Sequence, residues 1–322
     1  MRKYTTEFNV QITVHVAWLG KQKHFAMKSL PDSPPCHLYV IGKRKKLSVH
    51  PGSVEFSQEK FSAKVRRQTG ESREELSIGG LLDDRRFNGK VEDYRWESSY
   101  PYEEFRIVGS DSGLICGGEV ALLLQSGHFL PPEWRSIEIV YIGQSMRQAL
   151  ERLGSHSTLQ RIYSEAQPDE DVWIGLCSVT DVALHFTIDP TAKVATSDEQ
   201  DDDHIQRVHS AMEDSSTFRK KGSIDLAEAA LIAYFNPHYN VHFKGTFPDP
   251  KHASLAECYE LDFHSLIVEF NATELSVPFG SESRAAATIH FLRLPIFQHE
   301  GRIKYLEALD ISMEKMTQRY EV

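Results

Sequence analysis

The chain has 322 residues, of which 40% are hydrophobic and 25% are charged. A chain of this length and composition can bury a large core, and we expect two or three domains. No apolar run approaches the roughly 18 residues of a membrane span, and the N-terminus lacks the hydrophobic stretch of a signal peptide. These observations exclude a membrane protein by sequence criteria and predict a soluble, cytoplasmic one.

Charge is distributed unevenly along the chain. Residues 1–120 hold 19 Lys/Arg and 16 Asp/Glu, so this third is basic within a chain of net charge −10. An acidic total argues against non-specific coating of nucleic acid, although it allows one local binding surface. The four cysteines lack CxxC or zinc-site spacing, and buried reduced thiols are expected.

Residues 1–118 are predicted to form a β-rich domain, either a small sandwich or a barrel. Val10, Ile12, Val14 and Val16 alternate with polar or small residues, which is typical of a strand with one buried face. Strand-like runs follow in HLYVIG, LSVHPG, SVEFSQEKFSAKV and EEFRIVG. Segments with turn chemistry, among them IGGLLDD, separate them.

The densest basic stretch is Lys43, Arg44, Lys45 and Lys46, which lies between two of these runs. A turn at this point would project the cations into solvent, where they could hold a phosphate backbone by Coulomb attraction. A solvated hairpin tip that binds nothing explains the same residues equally well.

Residues 119–245 are predicted to form a second domain. EVALLLQSG and SIEIVYIG are apolar runs expected to pair as a β-hairpin through the connection HFLPPEWR, and a helix follows from Ser145. VWIGLCSVT and VALHFTI add one or two strands. SIDLAEAALIAYF has the composition and periodicity of a helix, which Pro237 ends.

Two further segments complete the predicted organisation. SDEQDDDHIQ is too acidic and too poor in apolar residues to form core, so we expect a surface insertion near residues 198–203. Residues 246–322 are expected to form a C-terminal β-rich region from the runs ECYELDFHSLIVEF and AAATIHFLRLPIF. This region is expected to end in a helix from about Arg302 to Gln318.

Four pieces of the second domain, in this order, resemble the GIY-YIG nuclease superfamily. They are Tyr141 in VYIGQS, Arg152 with His156 in ERLGSHSTL, Glu228 in AEAALIAYF, and Pro237 with Asn240 in NPHYN. The resemblance implies an α+β fold, in which a small mixed sheet is flanked by helices. It also implies a site formed by Tyr141, Arg152, His156, Glu228 and Asn240, with Glu228 as the metal ligand.

The chemistry of these residue types fits phosphodiester hydrolysis, which needs a base for water, a cation for the phosphate and usually a metal ion. Arg152 offers a forked donor, His156 lies one helical turn beyond it, and Glu228 offers a hard oxygen ligand for Mg²⁺ or Mn²⁺. Each residue alone has a simpler explanation, as a strand end, a surface side chain or a turn residue. Only their ordered combination predicts a site.

The first strand of the family carries Gly-Ile-Tyr, whose tyrosine is the expected base. The segment predicted to take that place is 119–124, EVALLL, and it contains no tyrosine. His128 in the following connection, or Tyr141 itself, is therefore expected to serve as a substitute base.

The sequence thus predicts a metal-dependent endonuclease acting on DNA, by analogy in restriction or phage defence, with a homodimer or a defence complex as its assembly. The alternative is a catalytically degenerate module that binds nucleic acid or assembles with proteins, and the missing tyrosine favours it. A small-molecule enzyme is not indicated, because the chain has no GxGxxG after a strand, no Walker loop and no GxSxG elbow.

Overall fold

The computed structural model describes residues 3–26, 35–57, 60–81, 94–109, 113–123, 130–144, 157–188, 193–214, 220–248 and 252–296. Within these ranges the chain is a strand-rich α+β structure with several sheets, as expected for the fold class. The helix predicted over residues 302–318 lies outside the described residues.

The strands carry most of the described structure. In chain order they are β1 Thr6–Gly20, β2 Leu38–Lys45, β3 Leu47–Val49, β4 Glu55–Ser57, β5 Lys60–Thr69, β6 Ser72–Leu81, β7 Arg95–Glu97, β8 Glu104–Val108, β9 Leu114–Glu119, β10 Ile137–Gln144, β11 Glu170–Ile188, β12 Ser265–Asn271, β13 Phe279–Ser281, β14 Arg284–Ala287 and β15 Ile289–Pro295.

The described ranges contain fewer helices than strands, and three of these helices exceed two turns. They are α1 Val120–Leu123, α2 Pro132–Arg135, α3 Ser157–Glu165, α4 Asp198–Asp214, α5 Lys220–Phe235 and α6 Ala256–Glu260, with 3-10 turns at Gln22–Ala26, Ala253–Leu255 and Thr273–Leu275. Of the helices in the described ranges, none combines the length and the apolar character that crossing a bilayer requires.

An eight-stranded sheet forms the centre of the molecule, in the order β14-β13-β10-β2-β11-β1-β12-β15. β2 pairs antiparallel with both β10 and β11, whereas β1 pairs parallel with β12. Strands from all three predicted segments, 1–118, 119–245 and 246–322, therefore share one sheet.

Both faces of this sheet are covered, which explains why the first half of β2, residues 38–41, is a continuous apolar run rather than an alternating one. Leu38 and Val40 belong to the core that also contains the buried residues of α5. Tyr39 and Ile41 belong to a second core, in which Leu159 and Ile162 of α3 are buried. Helices α5 and α3 thus cover opposite faces of the sheet.

Two smaller sheets are inserted between β2 and β10. In one, β5 pairs with β3, β4 and β6, and the other has the order β7-β8-β9. The prediction of a turn at IGGLLDD is wrong for its first four residues, because residues 78–81 pair with β5 and extend β6.

The acidic segment near residues 198–203 forms the first turns of helix α4, and it contributes one buried residue, Asp201, although we predicted that it forms no core. Its acidic residues suit a helix N-terminus, where the backbone dipole is positive. Asp201, His204 and Val208 are buried at helical spacing, and the Asp201 carboxylate accepts hydrogen bonds from the backbone N–H groups of Thr5 and Thr6.

Two further predictions need correction. Part of ECYELDFHSLIVEF is helix α6 rather than strand, because residues 256–260 close a helical turn before β12 begins. Cys177 and Cys258 are buried free thiols as expected, but Cys36 and Cys116 are only half-buried.

Candidate functional site around the paired strands β2 and β10

The strand that carries VYIG is β10, and its antiparallel neighbour is β2. Tyr141 lies opposite Ile41, and Gly143 lies opposite Tyr39. The prediction that residues 119–124 form the partner strand is wrong: Glu119 ends β9, and Val120–Leu123 is the short helix α1. Val120 and Ala121 are buried there, so their apolar character reflects core packing.

The true partner strand contains a tyrosine. The Tyr39 ring lies on the same face of the sheet as Tyr141, with their ring centroids 6.1 Å apart. The sequence carries a signal for it, since HLYVIG is predicted to be a strand. What it did not show was that β2, across an insertion of more than 90 residues, pairs with β10.

Gly143, the glycine of Tyr-Ile-Gly, makes this pairing possible. A Cβ atom at this position would lie 2.6 Å from the Tyr39 hydroxyl oxygen and 2.8 Å from Cε1 of Tyr141. Glycine is thus required because two tyrosine rings converge over its backbone.

Asn240 holds the backbone of β10. It is buried, its Oδ1 accepts from the Ile142 N–H at 2.9 Å, and its Nδ2 donates to the Ile142 carbonyl at 2.8 Å. The neighbouring Tyr239 N–H donates to the Val140 carbonyl at 2.9 Å. Because both polar atoms of the Asn240 amide are engaged, this residue positions the strand.

Tyr239 adds a third phenol on the α3 side of the sheet. Its hydroxyl donates to Glu165 at 2.7 Å, while Lys43 and Arg161 lie over its ring. Burial, together with the hydrogen bond to Glu165, raises the pKa of Tyr239 to about 12. This phenol therefore stays protonated near neutral pH and acts as a hydrogen-bond donor to Glu165.

Glu228 lies on helix α5, which covers the face of the sheet opposite to Tyr141. One turn earlier on this helix, Asp225 accepts a hydrogen bond from Gln144, the last residue of β10, at 3.0 Å. The predicted site residues Glu228 and Tyr141 therefore do not share a face of the sheet, and α5 reaches β10 at the end of this strand, through Gln144.

The four basic residues 43–46 do not form an exposed turn. β2 continues through Lys45, and Lys46 is the single residue before β3. The prediction of a projecting turn is wrong because this segment pairs with the start of β11, where Arg44 lies opposite Asp171 and Lys45 opposite Glu170.

Their side chains are divided between the two faces. Arg44 is buried and stacks on the Trp173 ring at 4.0 Å; burial lowers its pKa to about 10, against the opposing effect of Asp171 and Glu119. Lys45 pairs with Asp169 at 3.1 Å.

Lys43 and Lys45 line a cleft of about 180 Å³ together with Glu138 and Glu170. This cleft offers carboxylates as well as ammonium groups, so it is not a purely basic surface.

The remaining predicted residues, His128, Arg152 and His156, lie outside the described residues. Within the described ranges, no three His, Cys, Asp or Glu side chains form a group that could hold a metal ion. Glu228 is half-buried and offers a carboxylate, which is a ligand type that suits Mg²⁺, an ion commonly bound through one or two carboxylates and several waters.

Comparisons with known proteins returned no matching family model, no similar curated protein and no similar solved structure.

Proposed function

We propose that the protein is a metal-dependent endonuclease that hydrolyses DNA phosphodiester bonds. The observation that carries the proposal is the pair Tyr39 and Tyr141, which lie on neighbouring antiparallel strands with ring centroids 6.1 Å apart. The two phenols lie on adjacent strands beside Gly143, whose missing side chain allows their approach. They supply the tyrosine that the segment EVALLL lacks.

In this proposal Tyr39 replaces His128 as the base that removes a proton from the attacking water, and Tyr141 supports it. Arg152 and His156 bind the phosphate. Glu228 would hold Mg²⁺ or Mn²⁺ where α5 reaches the end of β10 from the opposite face of the sheet, and the ion would supply a Lewis acid there for the charge developing on phosphate oxygens. Asn240 fixes the backbone of β10 from which Tyr141 projects.

The test is a cleavage assay with the full chain. Supercoiled plasmid, linear duplex and single-stranded DNA are incubated with Mg²⁺, Mn²⁺ or EDTA, and nicked and linear products are quantified. Tyr39→Phe, Arg152→Ala and Glu228→Ala should each lower the rate by about 10²–10⁴-fold, the range for loss of a catalytic group. Tyr100→Phe and Glu199→Ala change exposed residues elsewhere and should cut normally. Cutting that survives Glu228→Ala and Tyr39→Phe would refute the assignment.

A second candidate function is favoured by one observation: the Tyr39 side chain is fully buried, with 0% exposure. A base that water cannot reach would leave a module that binds nucleic acid or assembles with proteins without cutting. DNA binding in the absence of any metal-dependent cleavage, unchanged by Tyr39→Phe, would select this alternative.

A further inference from the structure

The inserted four-stranded sheet has one face turned to solvent, which we call the β5–β6 outer face. Its inner face is apolar, with Phe61, Ala63 and Val65 of β5 buried. The alternate positions of β5 and their partners on β6 point outward. The charged residues of the outer face are Lys60, Lys64 and Arg66 on β5, Arg73 and Glu75 on β6, and Glu55 on β4.

Cations exceed carboxylates on this face by four to two, although the chain as a whole has a net charge of −10. Three cationic or titratable groups surround one of the two carboxylates. Glu75 accepts from Arg66 at 2.9 Å and lies 3.0 Å from His50 Nδ1 and 3.6 Å from Lys64. The hydrogen bond from Arg66 is the main cause of the lowered pKa of Glu75.

The spacing of the cations suits a polyanion with regular charges. Alternate residues of a strand recur every ~6.7 Å, so Lys60 and Arg66 lie roughly 20 Å apart along β5. Each DNA strand carries one phosphate per about 3.4 Å of helix axis, so this length spans about six base steps. Lys64 and Arg73 are exposed and can reach outward as flexible or forked donors.

We infer that the β5–β6 outer face binds the sugar-phosphate backbone of DNA, the substrate of the proposed nuclease. This inference rests on the proposed function for the identity of the polyanion. The contacts would be to phosphates, so the face contributes affinity without sequence preference.

Binding is measured separately from cleavage, in EDTA, by fluorescence anisotropy of a labelled 20-base-pair duplex over a range of salt concentrations. The triple variant K64Q/R66Q/R73Q should bind about tenfold or more weakly near 0.1 M salt. The slope of log affinity against log salt should fall by about 2 to 3, roughly one for each lost phosphate contact.

A second variant tests whether a more positive net charge on this face raises the affinity for DNA. Glu75→Gln removes the carboxylate that competes for Arg66 and Lys64, so affinity should rise by about three- to eightfold. A face that is merely a solvated surface would give no such gain. The matched control R106Q/K193Q/R207Q removes three exposed cations from other elements and should keep most of the affinity and slope.

Thermal unfolding of each variant checks that its fold is intact, and Glu75→Gln keeps the inference testable if the triple variant unfolds. A triple variant that binds like the control, or a wild-type chain that does not bind duplex in EDTA, overturns the inference. If the wild-type chain and its variants bind DNA as expected but the wild-type chain shows no metal-dependent cleavage, the nuclease proposal alone is contradicted.

Discussion

Gly143 is the residue at which one added methyl group should disturb the candidate site most. Its missing side chain leaves room for the rings of Tyr39 and Tyr141, both within 3 Å of where a Cβ would stand. Overpacking of a buried site costs about 1–3 kcal/mol, so Gly143→Ala should lower the free energy of unfolding by this amount. Urea denaturation measures the change.

Gly118→Ala is the matched control, because nothing lies within 4 Å of a Cβ at that strand position. It should alter stability by less than about 0.5 kcal/mol. Equal effects of the two substitutions would contradict the convergence of the tyrosine rings over Gly143. In the cleavage assay, Gly143→Ala should also reduce the rate, since it displaces the phenols that the proposed mechanism uses.

Asn240 gives a second prediction for a single residue. Asn240→Asp keeps an acceptor for the Ile142 N–H but loses the donor to the Ile142 carbonyl, and Asn240→Ala loses both. A buried polar group left without a partner costs about 1–3 kcal/mol, so both variants should be less stable than the wild type, and the aspartate variant is further destabilised because its carboxylate faces the Ile142 carbonyl oxygen. Amide hydrogen exchange at Ile142 should be faster in Asn240→Ala than in the wild type. Unaltered stability and exchange in both variants would show that the hydrogen bonds between Asn240 and Ile142 do not stabilise the fold.

At the scale of elements, local sequence pattern predicted which segments are strands and helices better than it predicted how they pair. The alternation from Val10 to Val16 gave β1, and the run of good helix formers before Pro237 gave α5. Pattern of this kind reflects burial of one face, which is a local property. Which strand lies beside which is decided by long-range contacts, and this is why β2 was not recognised as the partner of β10.

Helix α4 is an element that the composition of its segment did not predict. Its acidic first turn suggested a solvated insertion, because composition was weighed over the whole segment. The positions of Asp201, His204 and Val208 have the helical spacing of a buried stripe, but two of the three are polar. The two polar residues are buried because each has partners. Asp201 accepts hydrogen bonds from the backbone of Thr5 and Thr6. The His204 ring stacks on Tyr4 at 3.7 Å, and its Nε2 lies 2.9 Å from the Leu261 carbonyl oxygen.

The junction between the β7-β8-β9 sheet and the large sheet depends on one buried carboxylate. Glu119, at the end of β9, is 2% exposed and lies 3.0 Å from Lys21, 2.8 Å from Lys23 and 3.4 Å from His24. Lys21 also pairs with Asp171 of β11 at 2.8 Å. Glu119→Gln removes one carboxylate from these cations, but Lys21 keeps Asp171 and Lys23 is half exposed, so we expect a loss of about 1–3 kcal/mol at pH 7.

This loss should depend on pH. Burial alone would raise the pKa of Glu119, but the hydrogen bond from Lys23 and the charge of Lys21 outweigh it, so the pKa is lowered. A lowered folded-state pKa means that the carboxylate stabilises the fold above its unfolded pKa of about 4.3, and that this stability is lost as the pH falls through the folded-state value. Denaturant curves of wild type and Glu119→Gln should therefore differ most at pH 6–7 and converge in acid. A difference that stays constant down to pH 3 would assign the effect to packing.

At the scale of the whole molecule, the strand order decides which parts of the chain can fold alone. The segment 119–245 contains β10 and β11, but these strands are not neighbours: β2 lies between them, and β1 flanks β11 on its other side. Both β1 and β2 come from the first 45 residues. The sheet of the candidate site is therefore assembled from distant parts of the chain.

It follows that residues 119–245 expressed alone should not fold. Without β2, the Tyr39 and Ile41 side chains are missing from the core beneath α3, and both edges of β11 lose their hydrogen-bond partners. Unpaired backbone groups and exposed apolar strands are not offset by α5, because an isolated helix of this length is marginal in water. The full chain should unfold with a cooperative transition, whereas the fragment should show poor amide dispersion by NMR and no such transition. A fragment that unfolds cooperatively near the midpoint of the full chain would mean that β10 and β11 can form a stable domain without β2, contrary to the strand order seen here.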